Sequence, residues 1–389
     1  MSRRRRAMLS ACLILIASLG LAGVSQSATV EFQTESGLIR EALSAVDEGR
    51  TDAELEQLQT RIERALSDVA WRVGPGKPTY RRAYKLHRVL HRNYFKRYDI
   101  NVDALDRVVT DGSFNCLSAV LMTGLAAQRL GFEVRIVEYP GHLVLEVDTK
   151  SGPVIIEATT PFGFDSQPTR FRRNQDGNSF GSAWLRAGAE RSWRVPLSAA
   201  VGFTWLNRAW RSFDEGRTLE AVGFVENAAQ LVDDLSDHVD AAPRLLARAF
   251  VREYDAGRFT TAFRIAELDA RLRPGRVTTE DRLLAAAQKR LEQLCLEGRL
   301  AEAIATRERL AQSIRDEQAL VRFDRTTGPT IVAAAVRLGS WEVADRFVER
   351  YRVSEPDLIE SQRLQRWVDS RQHPDSEAIS QLPWSLIRP

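Results

Sequence analysis

The sequence predicts an α+β domain followed by an all-α solenoid of helical hairpins. In the first part, segments of helical periodicity give way to short segments that alternate between apolar and polar residues. In the second part, strand signals vanish, and a motif centred on a glycine recurs about four times with a period of 41 residues. We assign residues 1–28 to a signal peptide, 29–195 to the first domain and 196–389 to the helical repeats.

The N-terminal segment has the pattern of an export signal. Four consecutive arginines at positions 3–6 precede an apolar run over residues 7–24, and the small residues Ser-Gln-Ser-Ala follow. We expect cleavage after Ser27 or Ala28 and a periplasmic or extracellular mature protein. An uncleaved N-terminal membrane anchor is the alternative, and only then do we expect contact with a membrane.

Composition narrows the classes of function. The chain carries 55 basic and 52 acidic residues, so its charge gives no support to nucleic-acid binding. If the signal segment is removed, only Cys116 and Cys295 remain, which is no disulfide framework. Because no zinc-ligand spacing, glycine-rich phosphate loop or calcium-ligand cluster is present, we expect no metal and no cofactor.

Helices are expected to come first in the first domain. Helical patterns cover residues 35–73, with a break at Gly49, then residues 80–98 and 116–130. Short strands are expected at residues 133–138, 142–148 and 153–158, and the turn Thr-Lys-Ser-Gly separates the last two. This order predicts a small antiparallel sheet, and the stretch 162–196 is expected to be a loop that wraps the domain or forms a lid.

The repeated motif reads FDEGRTLEA, YDAGRFTTA, CLEGRLAEA and VRLGSWEVA. An apolar residue closes one helix, the glycine permits the turn, and a small alanine lets the second helix approach closely. The glycines are Gly216, Gly257, Gly298 and Gly339. The glycine-to-alanine step resembles tetratricopeptide repeats, although the 41-residue period exceeds the roughly 34 residues of that family. We therefore expect longer helices or longer loops between hairpins.

Cys116 is the first candidate for chemistry. It follows Gly-Ser-Phe-Asn and lies at the start of an apolar helix. The free N–H groups and the macrodipole of a helix N-terminus stabilise a thiolate, and the same N–H groups can hold an oxyanion. The alternative is a small apolar side chain packed beneath the helix, which is the usual role of a free cysteine.

His142 and Glu157 are the other two candidates. His142 opens a strand, where an imidazole is able to accept the thiol proton and return it to a leaving group. Glu157 ends the next strand, and a turn at residues 149–152 would bring it beside His142, where a carboxylate orients the ring. The alternatives are a histidine that merely completes a turn and a solvated acid at a strand end.

The order of these three residues resembles the transglutaminase-like superfamily, which has a papain-like cysteine fold. The resemblance spans about residues 85–164 and is carried by NCLSAVLMTGLAAQRLGFEVRIV, PGHLVLEV and VIIEATTP. It implies that Cys116 is the nucleophile, His142 the base and Glu157 the orienting acid. The chain departs from the family by having glutamate where aspartate is usual, and by having Leu143 where many active members have an aromatic residue.

The resemblance implies an exported thiol enzyme that acts on peptide or amide bonds of a protein or peptide substrate. The repeats would then bind that substrate or another protein partner. The alternative is an inactive papain-like domain in a scaffold protein, whose repeats carry the binding function.

Several other residues are weaker candidates. Asn115 and Ser113 are oxyanion donors or residues of a turn or cap. His87 and His91 are one helical turn apart, but without further ligands in the sequence we expect them to be exposed polar residues. Tyr139 either lines the cleft or packs in the core. Asp148 is an alternative third member of the triad or an acid of the hairpin that faces solvent. Cys295 occupies a core position of a repeat, so we expect a structural role for it.

Overall fold

The computed structural model describes residues 34–46, 49–139, 141–165, 192–232 and 241–354. The predicted signal peptide and most of the predicted loop at residues 162–196 lie outside these ranges. The protein is mostly helical, with a small antiparallel sheet and a helical C-terminal region, as the sequence predicts. It divides into two compact units, Met1–Val239 and Asp240–Pro389.

Among the described residues, the first unit begins with three helices, and a threonine caps each of them. The helices are α1 (Glu35–Ala45), α2 (Asp52–Val73) and α3 (Tyr80–Asn93). The side chains of Thr34, Thr51 and Thr79 each accept a hydrogen bond from a backbone N–H in the first turn. These caps satisfy donors that have no acceptor within the helix, and they fix where each helix begins.

Helix α3 is shorter than the sequence predicts, because the chain becomes extended after Asn93. Strand β1 (Arg97–Tyr98) pairs in parallel with β2 (Ser113–Phe114), and the short helix α4 (Leu105–Thr110) lies between them. These elements span only a few residues and carry no periodicity that would predict them. The ladder brings the chain after α3 alongside the segment that leads to Cys116.

The central helix α5 (Cys116–Arg129) packs against a four-stranded antiparallel sheet. The sheet has the order β5-β4-β3-β6, with β3 (Val134–Tyr139), β4 (His142–Thr149), β5 (Gly152–Ile156) and β6 (Trp193–Val195). Strand β6 lies in the stretch that we expected to be a loop, so that part of the expectation is wrong. Its three residues are too few to show an alternating pattern.

The register of the sheet determines where the candidate residues lie. Ile136, Leu145 and Ile156 are paired across three neighbouring strands, and each has 0% exposure. Glu157 follows Ile156 directly, and His142 is the first residue of β4. The fully buried row therefore fixes the register of the two strands that carry the histidine and the acid.

The helical C-terminal region begins within the first unit. Helices α6 (Ser198–Asp214) and α7 (Thr218–Ala229) belong to that unit, where Nε1 of Trp205 donates to Oε1 of Glu41 over 2.8 Å. The second unit contains α8 (Ala241–Asp255), α9 (Phe259–Leu272), α10 (Val277–Leu296), α11 (Leu300–Ser313), α12 (Glu317–Arg337) and α13 (Trp341–Ser354). The first pair of repeat helices therefore belongs to the same compact unit as the α+β elements.

One turn geometry recurs between paired helices. The motif glycines Gly216, Gly257, Gly298 and Gly339 have φ angles of +85°, +72°, +76° and +70°. After each of them, an N–H returns to a carbonyl near the end of the preceding helix, as from Arg217 to Ser212 over 2.8 Å. The motif alanines Ala221, Ala262, Ala303 and Ala344 have 0% exposure. The glycine and the alanine therefore occupy the positions that their residue types favour.

Within the described ranges, no helix has both the length and the apolar character needed to span a bilayer. The segment for which we expect export or anchoring lies outside those ranges.

Candidate active site

The structure brings His142 and Glu157 into direct contact. Nε2 of His142 and Oε2 of Glu157 lie within hydrogen-bonding range, and the two side chains are only 13% and 7% exposed. The contact forms because β4 and β5 are antiparallel and the acid follows the last residue of β5. The structure therefore contains the contact between His142 and Glu157 that the sequence predicts.

The second oxygen of Glu157 is also held. Oε1 accepts hydrogen bonds from the backbone N–H of Thr159 over 2.9 Å and from its hydroxyl over 2.6 Å. Burial alone would raise the pKa of Glu157, but the bonds from His142 and Thr159 outweigh it and lower that pKa. The residue is thus a fixed carboxylate at neutral pH.

Cys116 is the first residue of α5 and is partly exposed. It lies close enough to His142 to interact with the imidazole. Asn115 caps the helix: its Oδ1 accepts from the Ser118 N–H over 3.1 Å, and its own N–H donates to the Ser118 hydroxyl over 3.0 Å. The cap fixes the first turn of the helix and therefore the position of the thiol.

His142 lies between the other two residues, and its protonation reflects both of them. Burial would lower the pKa of the imidazole, but hydrogen bonds and electrostatic attraction from Cys116 and Glu157 raise it to about 9. The ring is therefore protonated at neutral pH. An imidazolium between a thiol and a carboxylate is the charge arrangement of an activated cysteine.

The segment after β1 runs alongside the cysteine segment. Tyr98 pairs with Phe114, and Nδ2 of Asn115 donates to the carbonyl of Ile100 over 3.3 Å. Tyr98 is 49% exposed, and its pKa is raised first by burial and then by the charges of Cys116 and Glu157. The sequence does not point to Tyr98, because we predicted a helix at its position.

The loop at residues 157–165 carries the acid and folds tightly on itself. The N–H of Glu157 donates to the carbonyl of Gly163 over 2.8 Å, and the N–H of Gly163 donates to the carbonyl of Thr160 over 3.1 Å. A Cβ atom at Gly163 would lie 2.7 Å from Cβ of Glu157, so a glycine is required here. We name residues 157–165 the acid loop.

The expectation that His87 and His91 are exposed is wrong. His87 is 1% exposed, His91 is half-buried, and their ring centroids lie 4.6 Å apart. The acid loop packs against this pair, since the ring of Phe164 lies 6.0 Å from that of His87. Their burial could not be predicted from the sequence, because the acid loop covers these residues only in the folded chain.

Burial governs the ionisation of both rings. It is the largest effect in lowering the pKa of His87. It likewise lowers the pKa of His91, to about 4, and the neighbouring His87 contributes to that shift. Both imidazoles are therefore neutral at physiological pH.

The remaining candidates lie in structural surroundings. Ser113 is fully buried, and its hydroxyl accepts a hydrogen bond from Arg97 over 2.9 Å. Asp148 lies at the other end of β4 from His142 and pairs with Arg135 at 3.5 Å. Tyr139 is 6% exposed and packs in a small apolar cluster. Ser113 and Asp148 are not brought into the group of Cys116, His142 and Glu157, whereas Tyr139 pairs directly with His142 across β3 and β4.

Within the described parts of the chain, no group of three or more His, Cys, Asp or Glu side chains is arranged to hold a metal ion. Comparison with known proteins adds no assignment: no protein-family model matches the chain, and no curated protein matches it. The residues themselves therefore carry the functional argument.

Proposed function

We propose that this protein is a transglutaminase-like thiol enzyme that acts on peptide or amide bonds of a protein or peptide substrate. The observation that carries the proposal is a buried imidazole that contacts the Glu157 carboxylate and lies close enough to Cys116 to interact with it. A cysteine with only a packing role does not require a charged histidine beside it or a carboxylate in contact with that histidine.

The charges support activation of the thiol. Glu157 contacts Nε2 of His142, which leaves Nδ1 as the nitrogen for the sulfur. The imidazolium and the positive end of α5 both favour a thiolate at Cys116. The carboxylate of Glu157 stabilises the imidazolium and holds the ring in one orientation.

The reaction follows from these roles. The Cys116 thiolate attacks the substrate carbonyl carbon, a C–S bond forms, and the carbonyl oxygen becomes an oxyanion. The free N–H groups in the first turn of α5 are the proposed donors to that oxyanion. The C–N bond then breaks as His142 gives its proton to the departing amine, which leaves a thioester on Cys116.

A second nucleophile completes the cycle. Water or an amine gives up a proton to His142 and attacks the thioester carbonyl. The C–S bond breaks, and the Cys116 thiolate is restored. Water produces a carboxylic acid, as in proteolysis or deamidation, and an amine produces a new amide, as in cross-linking.

Glutamate is able to serve in the place of the aspartate usual in the family. The longer side chain of Glu157 carries an additional rotatable bond, which would ordinarily loosen the orientation of the ring. Its two oxygens are held separately, one by His142 and one by Thr159. This anchoring offsets the additional freedom and supports Glu157 as the orienting acid.

The helical C-terminal region completes the proposal as a solenoid of about four tetratricopeptide-like hairpins. The recurrence of the left-handed glycine and the buried alanine supports this assignment. Stacked hairpins build an extended surface, which we propose binds the protein substrate or a partner. We also propose that the N-terminal segment directs export, which periplasmic fractionation of cells expressing the chain with and without residues 1–28 would test.

The test of the enzymatic proposal is acyl transfer from p-nitrophenyl acetate. We expect release of p-nitrophenolate and an acetyl thioester on Cys116, which mass spectrometry of peptides from acid-quenched protein detects and hydroxylamine removes. Cys295→Ser is the matched control and should acetylate normally, whereas Cys116→Ser should carry no hydroxylamine-sensitive thioester at that position. Absence of acetylation at Cys116, or equal acetylation of both thiols, would contradict the proposal and favour the inactive scaffold.

A further inference from the structure

Residues 98–102 begin at the end of β1 and run alongside the segment that leads to Cys116. Tyr98 is paired with Phe114 in the parallel ladder, and the N–H of Asp99 donates to the carbonyl of Phe114 over 2.8 Å. We name residues 98–102 the rim segment. Backbone contacts therefore fix its first two residues beside the chain that enters the first turn of α5.

The rest of the rim segment is held to the cap of α5. Nδ2 of Asn115 donates to the carbonyl of Ile100 over 3.3 Å, and the Ser118 hydroxyl donates to the carbonyl of Val102 over 3.2 Å. Asn115 and Ser118 are both buried, and they are the two residues of the capping box. The cap that positions Cys116 therefore positions the rim segment as well.

The two faces of the ladder formed by β1 and β2 can be told apart by their side-chain contacts. On one face, the rings of Tyr98 and Phe114 lie 5.8 Å apart in an edge-to-face arrangement. On the other face, Nη2 of Arg97 donates to Oγ of Ser113 over 2.9 Å. The paired residues thus share a face, and the charged neighbour of Tyr98 is directed away from it.

Cys116 lies on the face that carries Tyr98. Asn115 is extended, with φ of −123° and ψ of −167°, so Cys116 returns to the face of Phe114 by the two-residue alternation of an extended chain. Standard strand dimensions place the Cα atoms of Tyr98 and Cys116 about 8 Å apart. The charge of Cys116 also contributes, after burial, to the raised pKa of Tyr98.

The outer surface of the rim segment is apolar. Tyr98 is 49% exposed and Ile100 is 64% exposed. No charged residue occurs in the sequence from 112 to 128, and the carboxylate of Glu157 is in contact with His142. The surface beside the thiol therefore favours an apolar group over a charged one.

We propose that Tyr98 and Ile100 are specificity-determining residues, which bind a large apolar side chain of the substrate next to the carbonyl that Cys116 attacks. This inference rests on the proposed function, because it names the substrate class of the same site. An apolar side chain at this place leaves water and covers the exposed part of the Tyr98 ring, which favours binding. A substrate with a small group there lacks this contact.

The experiment compares acylation of Cys116 by the p-nitrophenyl esters of N-acetylphenylalanine and N-acetylglycine. The two esters share a leaving group and differ in the side chain next to the reacting carbonyl. Release of p-nitrophenolate by the full chain gives kcat/KM for each ester, and Cys116→Ser supplies the background rate. After correction for the uncatalysed rates, we expect the wild-type protein to prefer the phenylalanine ester by at least about tenfold.

Variants of the rim segment assign this preference to its side chains. In Tyr98→Ala the preference should fall to about twofold, and in Ile100→Ala it should decrease by about threefold, because apolar contact area is lost. Tyr98→Phe retains the ring and should retain the preference. Trp71→Ala is the matched control, since Trp71 is 79% exposed on α2, and this variant should keep the wild-type preference.

Equal rates for the two esters in the wild-type protein, or an unchanged preference in folded Tyr98→Ala, would overturn the inference. Loss of acylation by both esters in Tyr98→Phe would also overturn it, because the hydroxyl would then act on the reacting carbonyl. If Tyr98→Ala does not fold, an unchanged preference in Ile100→Ala would overturn the inference instead.

Alkylation separates this inference from the proposed function, because it requires a reactive thiol but no acyl transfer. Iodoacetanilide carries an aromatic ring that iodoacetamide lacks. Relative to free cysteine, we expect Cys116 to favour iodoacetanilide by at least about fivefold, and Tyr98→Ala should remove this preference. A protein that shows the Tyr98-dependent preference without acyl transfer would contradict the proposed function alone. A protein that shows neither would overturn both.

Discussion

Cys116 and Cys295 occupy opposite ends of helices and opposite kinds of surroundings. Cys116 begins α5, is partly exposed and lies close enough to His142 to interact with its ring. Cys295 is the residue before the last in α10 and is 2% exposed. Burial raises the pKa of the Cys295 thiol to about 11, although the nearby Arg337 acts to lower it. The thiol thus lies beside a histidine in one unit and is buried in a repeat position in the other.

The two thiols differ in the side chains that surround them. Cys295 stands in the motif position held elsewhere by Phe213, Tyr254 and Val336, so its thiol replaces an apolar side chain. Cys116 follows a capping asparagine and meets a histidine from a neighbouring strand.

The largest expected effect is the ratio of alkylation rates of the two thiols by iodoacetamide at pH 7. With a pKa of about 11, only on the order of one Cys295 thiol in ten thousand is ionised at that pH, and burial restricts access further. We expect Cys116 to react at least about 100-fold faster. Peptide mass spectrometry over time measures both sites in one sample, and equal, slow labelling of both would remove the contrast.

A smaller effect is expected when the acid is neutralised. Glu157→Gln keeps the size of the side chain and removes the charge that stabilises the imidazolium, so alkylation of Cys116 should slow about tenfold. Asp148→Asn is the matched control, because Asp148 lies at the other end of β4 and pairs with Arg135. An equal loss in both variants would show that Glu157 has no special relation to the thiol.

The charge on His142 should also contribute to stability in a pH-dependent way. Its folded pKa of about 9 lies above the ordinary value of 6.5, so the contribution is complete below pH 6.5 and is lost as the pH rises through 9. The shift corresponds to on the order of 3 kcal/mol.

The measurement is the difference in unfolding free energy between wild type and His142→Ala, determined by chemical denaturation at several pH values. This difference should shrink by on the order of 3 kcal/mol between pH 6.5 and pH values well above 9. A difference that stays constant over this range would mean that the ring is not held as an imidazolium.

The smallest expected effect concerns the unit that contains Cys295. Gly257 has a φ of +72°, which valine adopts only with strain, so Gly257→Val should destabilise by about 1–3 kcal/mol. Gly223 lies inside α7 without a positive φ and with open space around it, so Gly223→Ala should be neutral or stabilising by up to about 1 kcal/mol. Thermal unfolding measures both, and a Gly257→Val protein as stable as wild type would refute the turn assignment.

Much of the fold was predictable, because long elements have periodic patterns and short ones do not. Helix α5, the hairpin of β4 and β5 and the helical C-terminal region follow from apolar periodicity and from the repeated glycines. Strands β1, β2 and β6 contain two or three residues each, and their pairing depends on neighbours far away in sequence. Local patterns therefore gave no basis for placing them.

The candidate site shows the same division. The meeting of His142 and Glu157 was predictable, since a hairpin turn and a two-residue period fix which positions are adjacent. The burial of His87 and His91 was not, because it depends on the acid loop folding back over α3. The position of Tyr98 was not predictable, because the periodicity predicts a helix through residue 98, whereas the helix ends at Asn93.

Titration of His142 by NMR measures whether the imidazole is coupled to both Cys116 and Glu157. We expect a pKa of about 9 in the wild-type protein. We also expect a lower value in each of the folded variants Cys116→Ala and Glu157→Gln, because each removes one partner of the ring. A His142 that titrates near 6.5 in the wild type and does not respond to either substitution would contradict this coupling.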